Sequence, residues 1–118
     1  MEEILVTTHL IKEFDLGLNG NLYGGRMLDW LDEAGALFVH DLYNEYFVTY
    51  KIGEIIFHEP VKKGTIIKFF VKNVETRKSS VSFEITVRNG NDIEVLTAFM
   101  VFVCVDQETG KKKEINGN

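Results

Sequence analysis

The sequence predicts an α+β fold in which one long central helix lies on an antiparallel sheet of about five strands. Three observations support this prediction. A helical pattern in the first third of the chain is apolar around most of its circumference, which a surface helix does not need. One strand-like run precedes it and four follow it. The chain has 118 residues, enough for one hydrophobic core, so residues 1–118 are predicted to form a single domain.

The first element is a strand predicted over residues 4–14, where Val, Thr, Leu and Ile prevail. Turn-forming residues fill positions 15–21, so a loop is expected between this strand and the helix.

The helix is predicted to begin near Gly24 or Gly25 and to end at His40, a length of about 17 residues or about 25 Å. At about 100° per residue its polar side is narrow. This side consists of Asp29, Glu33 and His40. Asp32 projects between that side and the apolar face, where a carboxylate is both partly desolvated and reachable. Asp32 is therefore the first candidate for chemistry.

Four strands are predicted after the helix, over residues 47–58, 65–75, 79–88 and 93–105. The third of these four alternates cleanly, so its Ser and Thr residues are expected to face away from the core. The last is apolar on both faces, which is typical of a central strand covered on both sides.

The pair Asn89-Gly90 gives the strongest hairpin signal, because it fits a tight turn that needs positive φ at both central residues. The chain after the last strand, residues 106–118, is predicted to be a polar, solvated tail.

Composition excludes several classes of protein. A formal net charge of -5 argues against a nucleic-acid partner, although local basic groups can still hold phosphates. Cys104 is the one cysteine, so no internal disulfide is expected and a reducing compartment fits. The N-terminus is acidic where a signal peptide is basic, and no apolar run reaches the length of a membrane span. A cytoplasmic protein without a membrane partner is expected.

Metal and serine-nucleophile chemistry are not expected. His9, His40 and His58 have no Cys or carboxylate at ligand spacing, so no metal site is predicted. The serines at 79 and 80 follow a basic turn without an accompanying His and Asp set.

Six motifs occur in order along the chain between Asp15 and Asp106. They are Asn19-Gly20-Asn21-Leu22-Tyr23-Gly24-Gly25, Leu31-Asp32-Glu33-Ala34, Val48-Thr49, Phe57-x-x-Pro60, Val61-x-x-Gly64 and Lys78-Ser79-Ser80. Together they resemble the acyl-CoA thioesterase branch of the hotdog superfamily, which contains the bacterial YciA-type and the brain-type acyl-CoA hydrolases. The resemblance implies the hotdog fold and the hydrolysis of an acyl-CoA to a free acid and CoA.

The resemblance also implies catalytic roles. Asp32 matches the helix acid that acts as general base on water or as nucleophile toward the thioester carbonyl. Thr49 matches a threonine that positions the water or the carboxylate. The backbone N–H groups around Gly24 and Gly25 would form the oxyanion hole, because unpaired amides and the positive end of the helix dipole lie there.

Substrate-binding roles are implied for a second set of residues, of which those in the basic turn match a segment near the CoA phosphates. The set is Arg77, Lys78, Ser79, Asn19, Asn21 and Phe57. No metal or tightly held cofactor is expected, because CoA is part of the substrate. One position departs from the family pattern: Gly17 stands where relatives carry an asparagine that reaches the partner subunit's acid. Asn19 or Asn21 could substitute for it.

A homodimer is expected, because one sheet alone leaves an edge and one helix face uncovered. Its sheet would be continuous, with two sites at the interface, and a trimer of dimers is the larger assembly considered. Two alternatives to the hydrolase stay open. One is a module that binds acyl-CoA or acyl carriers without turnover, which the Gly17 departure favours. The other is a dehydratase or a thioesterase of another branch.

Overall fold

One helix and five strands form the fold, which a computed structural model of the chain describes for residues 2–116. In chain order the elements are β1 (Ile4–Leu10), α1 (Gly24–Tyr43), β2 (Phe47–Phe57), β3 (Ile66–Thr76), β4 (Ser80–Arg88) and β5 (Glu94–Cys104). A short 3-10 turn, Glu13–Asp15, lies between β1 and α1. The predicted α+β fold with one long helix and five antiparallel strands is confirmed.

The five strands form a single antiparallel sheet in the order β1-β3-β4-β5-β2. β1 and β2 therefore lie at opposite edges. Because α1 connects these two strands, it crosses one face of the sheet from edge to edge. Within residues 2–116 no helix has the length and apolar character needed to cross a bilayer.

The core lies between α1 and the inner face of the sheet. α1 packs tightly on the sheet at Gly35, where an added β-carbon would stand 2.6 Å from Cε1 of Phe102. Phe38 packs edge-on against Phe83, with ring centroids 5.1 Å apart. The helix side of the core consists of Met27, Leu31, Ala34, Gly35, Phe38 and Val39, all of which are buried.

The boundaries of β1 and α1 differ from prediction. β1 ends at Leu10, four residues early, because the Asp15 carboxylate accepts the Lys12 N–H at 2.8 Å and holds the chain in the 3-10 turn. α1 ends at Tyr43, three residues late, where Asn44 takes a left-handed conformation (φ 52°) and donates its N–H to the His40 carbonyl. Such a cap satisfies a terminal helix carbonyl.

β4 alternates as predicted, with its core residues at positions 81, 83, 85 and 87 and with Ser82 and Thr86 between them on the other face. Ser82 and Thr86 are nevertheless only 8% and 3% exposed in this interior strand. The expectation that β5 is covered on both faces was wrong. β5 is also an interior strand, but Phe99 on its outer face is 37% exposed, so this face is not fully covered. The turn between the two strands is longer than predicted, and Asp92, rather than Asn89 and Gly90, has a positive φ of 63°.

The segment after β5 was expected to be a solvated tail, and this expectation was wrong in part: residues 107–112 are exposed, but the segment is docked on the fold before and after them. Val105 and Lys112 form an isolated antiparallel bridge. Ile115 is 4% exposed within the core, and its N–H donates to the Lys78 carbonyl at 2.8 Å. The segment is therefore docked partly through one apolar residue, Ile115. Residues 117–118 of the predicted tail lie outside the described residues.

Glu45 holds the same segment from the other side. Its carboxylate accepts the Lys113 ammonium at 2.8 Å and the Asn116 N–H at 2.7 Å. Both hydrogen bonds lower the pKa of Glu45, and the one from Lys113 has the larger effect.

Candidate active site

Asp32 and Thr49 form a hydrogen-bonded pair between α1 and β2. The Thr49 hydroxyl donates to Asp32 Oδ1 at 2.6 Å, joining residues 17 positions apart. Asp32 is half-buried, at the boundary between the exposed Asp29 and the buried Leu31. A hydroxyl that donates to a carboxylate makes a short, charge-assisted hydrogen bond. The structure therefore brings the two predicted side chains together.

β2 is irregular at this point. The register of its pairing with β5 shifts between Thr49 and Lys51, and again between Gly53 and Ile56. Bulges bend a strand and re-aim its side chains. Thr49 itself is exposed, so its side chain can meet α1 at the open edge of the sheet.

Gly24 and Gly25 are the first two residues of α1. Tyr23 is the N-cap and gives no side-chain hydrogen bond to the first turn. The first amide to return to the cap is that of Met27, which donates to the Tyr23 carbonyl at 3.1 Å. First-turn amides of a helix have no intrahelical acceptor, so they can donate to an oxygen of a ligand.

Aromatic rings surround the helix start. A β-carbon added at Gly25 would stand 2.6 Å from Cε2 of Tyr23, so the ring rests where only glycine leaves room. At Gly24 the nearest atom to such a carbon is Cζ of Phe57, at 4.0 Å. The predicted substrate-binding residue Phe57 therefore lies beside the first residue of the helix.

A cavity of about 180 Å³ opens next to the helix start. Three predicted substrate-binding residues, Asn19, Asn21 and Phe57, line it together. Its other lining residues are Leu22, Met27, His58, Glu59, Pro60 and Val61.

A second, more apolar cavity of about 390 Å³ lies between α1 and the start of β2. Ala36 and Phe47 line it, each on the same element as a member of the Asp32–Thr49 pair and close to it in sequence. The remaining lining residues are Glu33, Leu37, Val39, His40, Glu45 and Tyr46.

Within one chain, Asp32 and the helix start do not meet. Eight residues separate Asp32 from Gly24 along α1, which corresponds to about 12 Å along the axis. A thioester carbonyl is far smaller than this distance, so the two groups of one chain cannot act on the same carbonyl.

The basic turn is also apart from the helix start. Arg77, Lys78 and Ser79 connect β3 to β4 at the end of the sheet that meets the C-terminus of α1. There the Tyr43 hydroxyl donates to the Thr76 hydroxyl at 2.8 Å. Arg77 forms an ion pair of 3.1 Å with the nearby Glu75.

Gly17 lies in the loop before the helix. Its N–H donates to the Asn21 carbonyl at 2.8 Å. A β-carbon at this position would make ordinary contacts with Tyr23, the nearest at 3.5 Å. The loop therefore has room for a side chain at residue 17, and no contact of the fold requires glycine there.

Sequence reasoning missed the pairing of Asp15 with Arg26. Asp15 is 2% exposed, and its Oδ1 lies 3.3 Å from Arg26 Nε. A signal was present in the sequence: an arginine in the first turn of a helix is unfavourable against the helix dipole. Such an arginine indicates a nearby carboxylate.

His9 was also missed as a structural residue. Its ring stacks on Trp30 at 4.1 Å between centroids, and Phe69 packs edge-on against it. Its Nε2 atom is buried without a hydrogen-bond partner. Burial lowers the pKa of His9, and the charge of Glu33 opposes this effect.

No group of three or more His, Cys, Asp or Glu within residues 2–116 is arranged to hold a metal ion. Cys104 is buried, and burial raises the pKa of its thiol. A buried thiol with a raised pKa is a poor nucleophile.

Comparison with known proteins gives consistent results. Residues 19–96 match the thioesterase superfamily. The acyl-CoA thioester hydrolase YciA of Escherichia coli strain K12 is 25% identical over 119 residues, covering 94% of this chain and 89% of that protein. A hexameric hotdog-fold thioesterase of Campylobacter jejuni is 30% identical, with a TM-score of 0.84 over 95% of this chain and 90% of its own. A hexameric thioesterase of Yersinia pestis shares the fold at 24% identity, with a TM-score of 0.88 over 97% and 96% of the two chains.

Proposed function

The chain belongs to the thioesterase superfamily, and on that premise we propose that it hydrolyses the thioester of an acyl-CoA to a free acid and CoA. The match covers residues 19–96, and the relatives that are named acyl-CoA thioester hydrolases align over most of the chain. The resemblance stated from the six motifs is thereby confirmed at the level of the family. The observation that carries the catalytic proposal is the 2.6 Å hydrogen bond between Thr49 and Asp32.

Asp32 serves as general base or as nucleophile. As a base it takes a proton from water while the water oxygen attacks the thioester carbonyl, and the tetrahedral intermediate then expels the CoA thiolate. Thr49 fixes the orientation of the carboxylate through Oδ1. A thiol has a pKa near 8.5, so its thiolate leaves without strong acid catalysis. Few polar residues are then sufficient, and neither a metal nor a tightly bound cofactor takes part.

The oxyanion hole consists of the amides around Gly24 and Gly25 of a second copy of the chain. These donors lie at the positive end of the helix dipole, where negative charge on the carbonyl oxygen is stabilised. The axial separation of about 12 Å between Gly24 and Asp32 of one chain supports a site shared by two chains.

The substrate lies across this shared site. The acyl chain occupies the cavity of about 390 Å³ beside α1, whose apolar lining begins next to the Asp32–Thr49 pair. Asn19, Asn21 and Phe57 contact the substrate at the helix start. Arg77, Lys78 and Ser79 hold the CoA phosphates through charge and hydrogen bonds.

The catalytic unit is a homodimer with a continuous sheet, and a trimer of dimers is the larger assembly. Two relatives are hexamers, which is the size that a trimer of dimers would have. The expected location is the cytoplasm, where the single, buried Cys104 stays reduced.

The test is the release of CoA from acyl-CoA substrates, followed with a thiol reagent. Asp32→Asn is expected to lower kcat by about 10³-fold, because a positioned general base contributes of that order. Its thermal midpoint should stay close to that of the unmodified protein. Asp29→Asn is the matched control, since Asp29 is an exposed carboxylate on the same helix. An unchanged rate in Asp32→Asn would show that the carboxylate is misassigned.

Binding without turnover is the second candidate, and Gly17 favours it because glycine cannot orient water through a side chain. The same assay separates the two functions. If acyl-CoA raises the thermal midpoint of the unmodified protein but no thiol is released, the chain is a binding module.

A further inference from the structure

We propose that Asp15 and Arg26 form a positioning pair that fixes the first turn of α1 for hydrolysis and neutralises the charge buried beside it. The inference rests on the proposed function, because the groups that the pair positions are the amides of the proposed oxyanion hole. Arg26 lies outside the six motifs that carry the family resemblance.

The pair joins a buried carboxylate to a partly exposed arginine, whose side chain is 38% exposed. The Asp15 side chain is 3% exposed, and its two oxygens meet different partners. Oδ2 accepts the Lys12 N–H at 2.8 Å, whereas Oδ1 lies 3.3 Å from Arg26 Nε. That nitrogen is shielded from solvent and makes no hydrogen bond within residues 2–116, so its attraction to the carboxylate is electrostatic. Without Arg26, this buried carboxylate keeps, among the described residues, only the Lys12 N–H and the Lys12 ammonium, which lies 3.8 Å from Oδ2. Oδ1 then loses its cation, which is unfavourable for a buried charge.

The loop before the helix closes on the same pair. The Tyr23 N–H donates to the Asp15 carbonyl at 2.9 Å, and Leu16 and Leu22 form an antiparallel bridge. The two ends of the loop over residues 15–23 therefore meet at the start of α1. Arg26 ties the base of this loop to the first helical turn a second time.

Gly24 and Gly25 lie between these two ties. On one side, Tyr23 is held to the Asp15 backbone, and on the other side Arg26 is held to the Asp15 carboxylate. Two glycines in succession have more conformational freedom than any other residues. Since oxyanion stabilisation requires donors that are already in place, this freedom must be restricted from outside.

The charges of the pair act at the same place. A buried carboxylate beside the helix start repels the negative charge that develops on the carbonyl oxygen. An arginine alone in the first turn opposes the helix dipole. Arg26, together with the Lys12 ammonium 3.8 Å from Oδ2, neutralises the carboxylate, so the partial positive charge of the amides is left for the substrate.

The experiment compares Arg26→Gln, Asp15→Asn and the double variant. Each single variant is expected to lower kcat by about tenfold with KM changed less than about twofold, because donors are displaced rather than removed. The double variant is expected to return to within about threefold of the unmodified kcat, because a neutral amide pair can hydrogen-bond in the same place. A role in stability alone would not produce this recovery of kcat.

The neighbouring pair Lys63–Glu13 provides the control. Its atoms are 2.8 Å apart, but the side chains are 60% and 75% exposed. Lys63→Gln removes an ion pair next to the same 3-10 turn and should leave both kinetic parameters unchanged. Where a single variant does not fold, Arg26→Lys replaces it, since it keeps the charge and alters the geometry. It is expected to lower kcat at an unchanged thermal midpoint.

Asp32→Asn, assayed in parallel, separates failure of this inference from failure of the proposed function. An inactive Asp32→Asn, found while both single variants, Arg26→Gln and Asp15→Asn, keep the unmodified kcat, refutes the positioning pair and leaves the hydrolase standing. Arg26→Lys takes the place of a single variant that does not fold. The positioning pair would also be refuted if the fold-reduction in kcat of the double variant equalled the product of the reductions in the two single variants. If the unmodified protein releases no thiol, both proposals fall.

Discussion

At the residue scale, the hydrogen bond from Thr49 orients the Asp32 carboxylate and leaves most of its acceptor positions free. An ionised carboxylate offers about four acceptor positions on two oxygens. Thr49 occupies one of them, on Oδ1. The others stay open to water and to a substrate. The Asp32 side chain can rotate where it protrudes from the helix, and the Thr49 hydroxyl restricts this rotation.

The space around residue 17 does not explain why it is a glycine. A side chain could be added there with contacts no closer than 3.5 Å. The glycine is therefore not forced by packing, in contrast to Gly35. Packing therefore gives no reason for the departure from the family pattern at this position.

His9 leads to a prediction about stability and pH. Burial lowers its pKa in the folded chain, whereas the unfolded chain titrates near 6.5. Below that value the unfolded state takes up a proton that the folded state resists. Stability is therefore full above about pH 6.5 and decreases as the pH falls through the window down to the folded pKa. His9→Phe keeps an aromatic ring against Trp30 but cannot titrate, so it should flatten this decrease.

Urea unfolding at pH 5 to 8 tests the His9 prediction. The pKa of Glu3 is also lowered, by its hydrogen bonds to Arg88, but a carboxyl titrates below about pH 4.5 and lies outside this window. His40→Phe is the control, because His40 is exposed at the far end of α1. An equal slope in His9→Phe and the unmodified protein would contradict the lowered pKa of the partly buried His9.

At the element scale, α1 packs against the sheet at Gly35. A β-carbon at residue 35 would lie 2.6 Å from Cε1 of Phe102 and 2.9 Å from Cε of Met100. Both side chains are buried, so neither can move into solvent. The close approach lets Phe38 and Leu31 reach the inner face of the sheet, and it sets the height of the whole helix, including Asp32.

Gly35→Ala is expected to destabilise the fold by about 1–2 kcal/mol. Overpacking a core costs about 1–3 kcal/mol, and better helix propensity returns up to about 1 kcal/mol. Gly24→Ala is the control, because the nearest atom to its added carbon is 4.0 Å away. Urea midpoints with unchanged m-values measure both variants. A Gly35→Ala protein more stable than the unmodified chain would show that α1 is free to shift.

At the scale of the whole molecule, one chain leaves much apolar surface uncovered. β2 is an edge strand, and Val48, Tyr50 and Phe57 on it are 42%, 71% and 52% exposed. On α1, Leu37 is 46% exposed. An uncovered edge with such side chains favours pairing with another chain. This surface adjoins Thr49, so a partner there would lie next to the proposed site.

A shared site predicts complementation between two inactive variants. Asp32→Asn removes the base, and Gly24→Pro removes one first-turn amide. Proline is tolerated there because it fits the first helical position and Tyr23 is already extended (φ -65°, ψ 128°). After mixed refolding, half of the dimers are hybrids with one intact site each, so about a quarter of the unmodified activity should return.

Each variant refolded alone is the control for complementation. Both should keep the secondary structure of the unmodified protein and release little thiol. A mixture no more active than the mean of the two parents would place both groups in the same chain. Full activity in Gly24→Pro alone would exclude that amide as a donor.

The sequence alone determined the fold class, because periodicity reports which face of each element is buried. Five strands, one apolar helix and the boundary position of Asp32 follow from side-chain spacing, which is local along the chain. The element ends followed less well, because Asp15 and Asn44 set two of them through capping and turn hydrogen bonds. The spacing of side chains along the chain does not show which of these hydrogen bonds will form.

Tertiary structure decided which distant residues meet. Thr49 reaches Asp32 because β2, the edge strand that follows α1 in the chain, packs beside the helix. The same folding separates the helix start from Asp32 and brings Asp15 onto Arg26. Spacing along a chain encodes burial, but distances across a fold depend on strand order and on where unfavourable buried charge finds a partner.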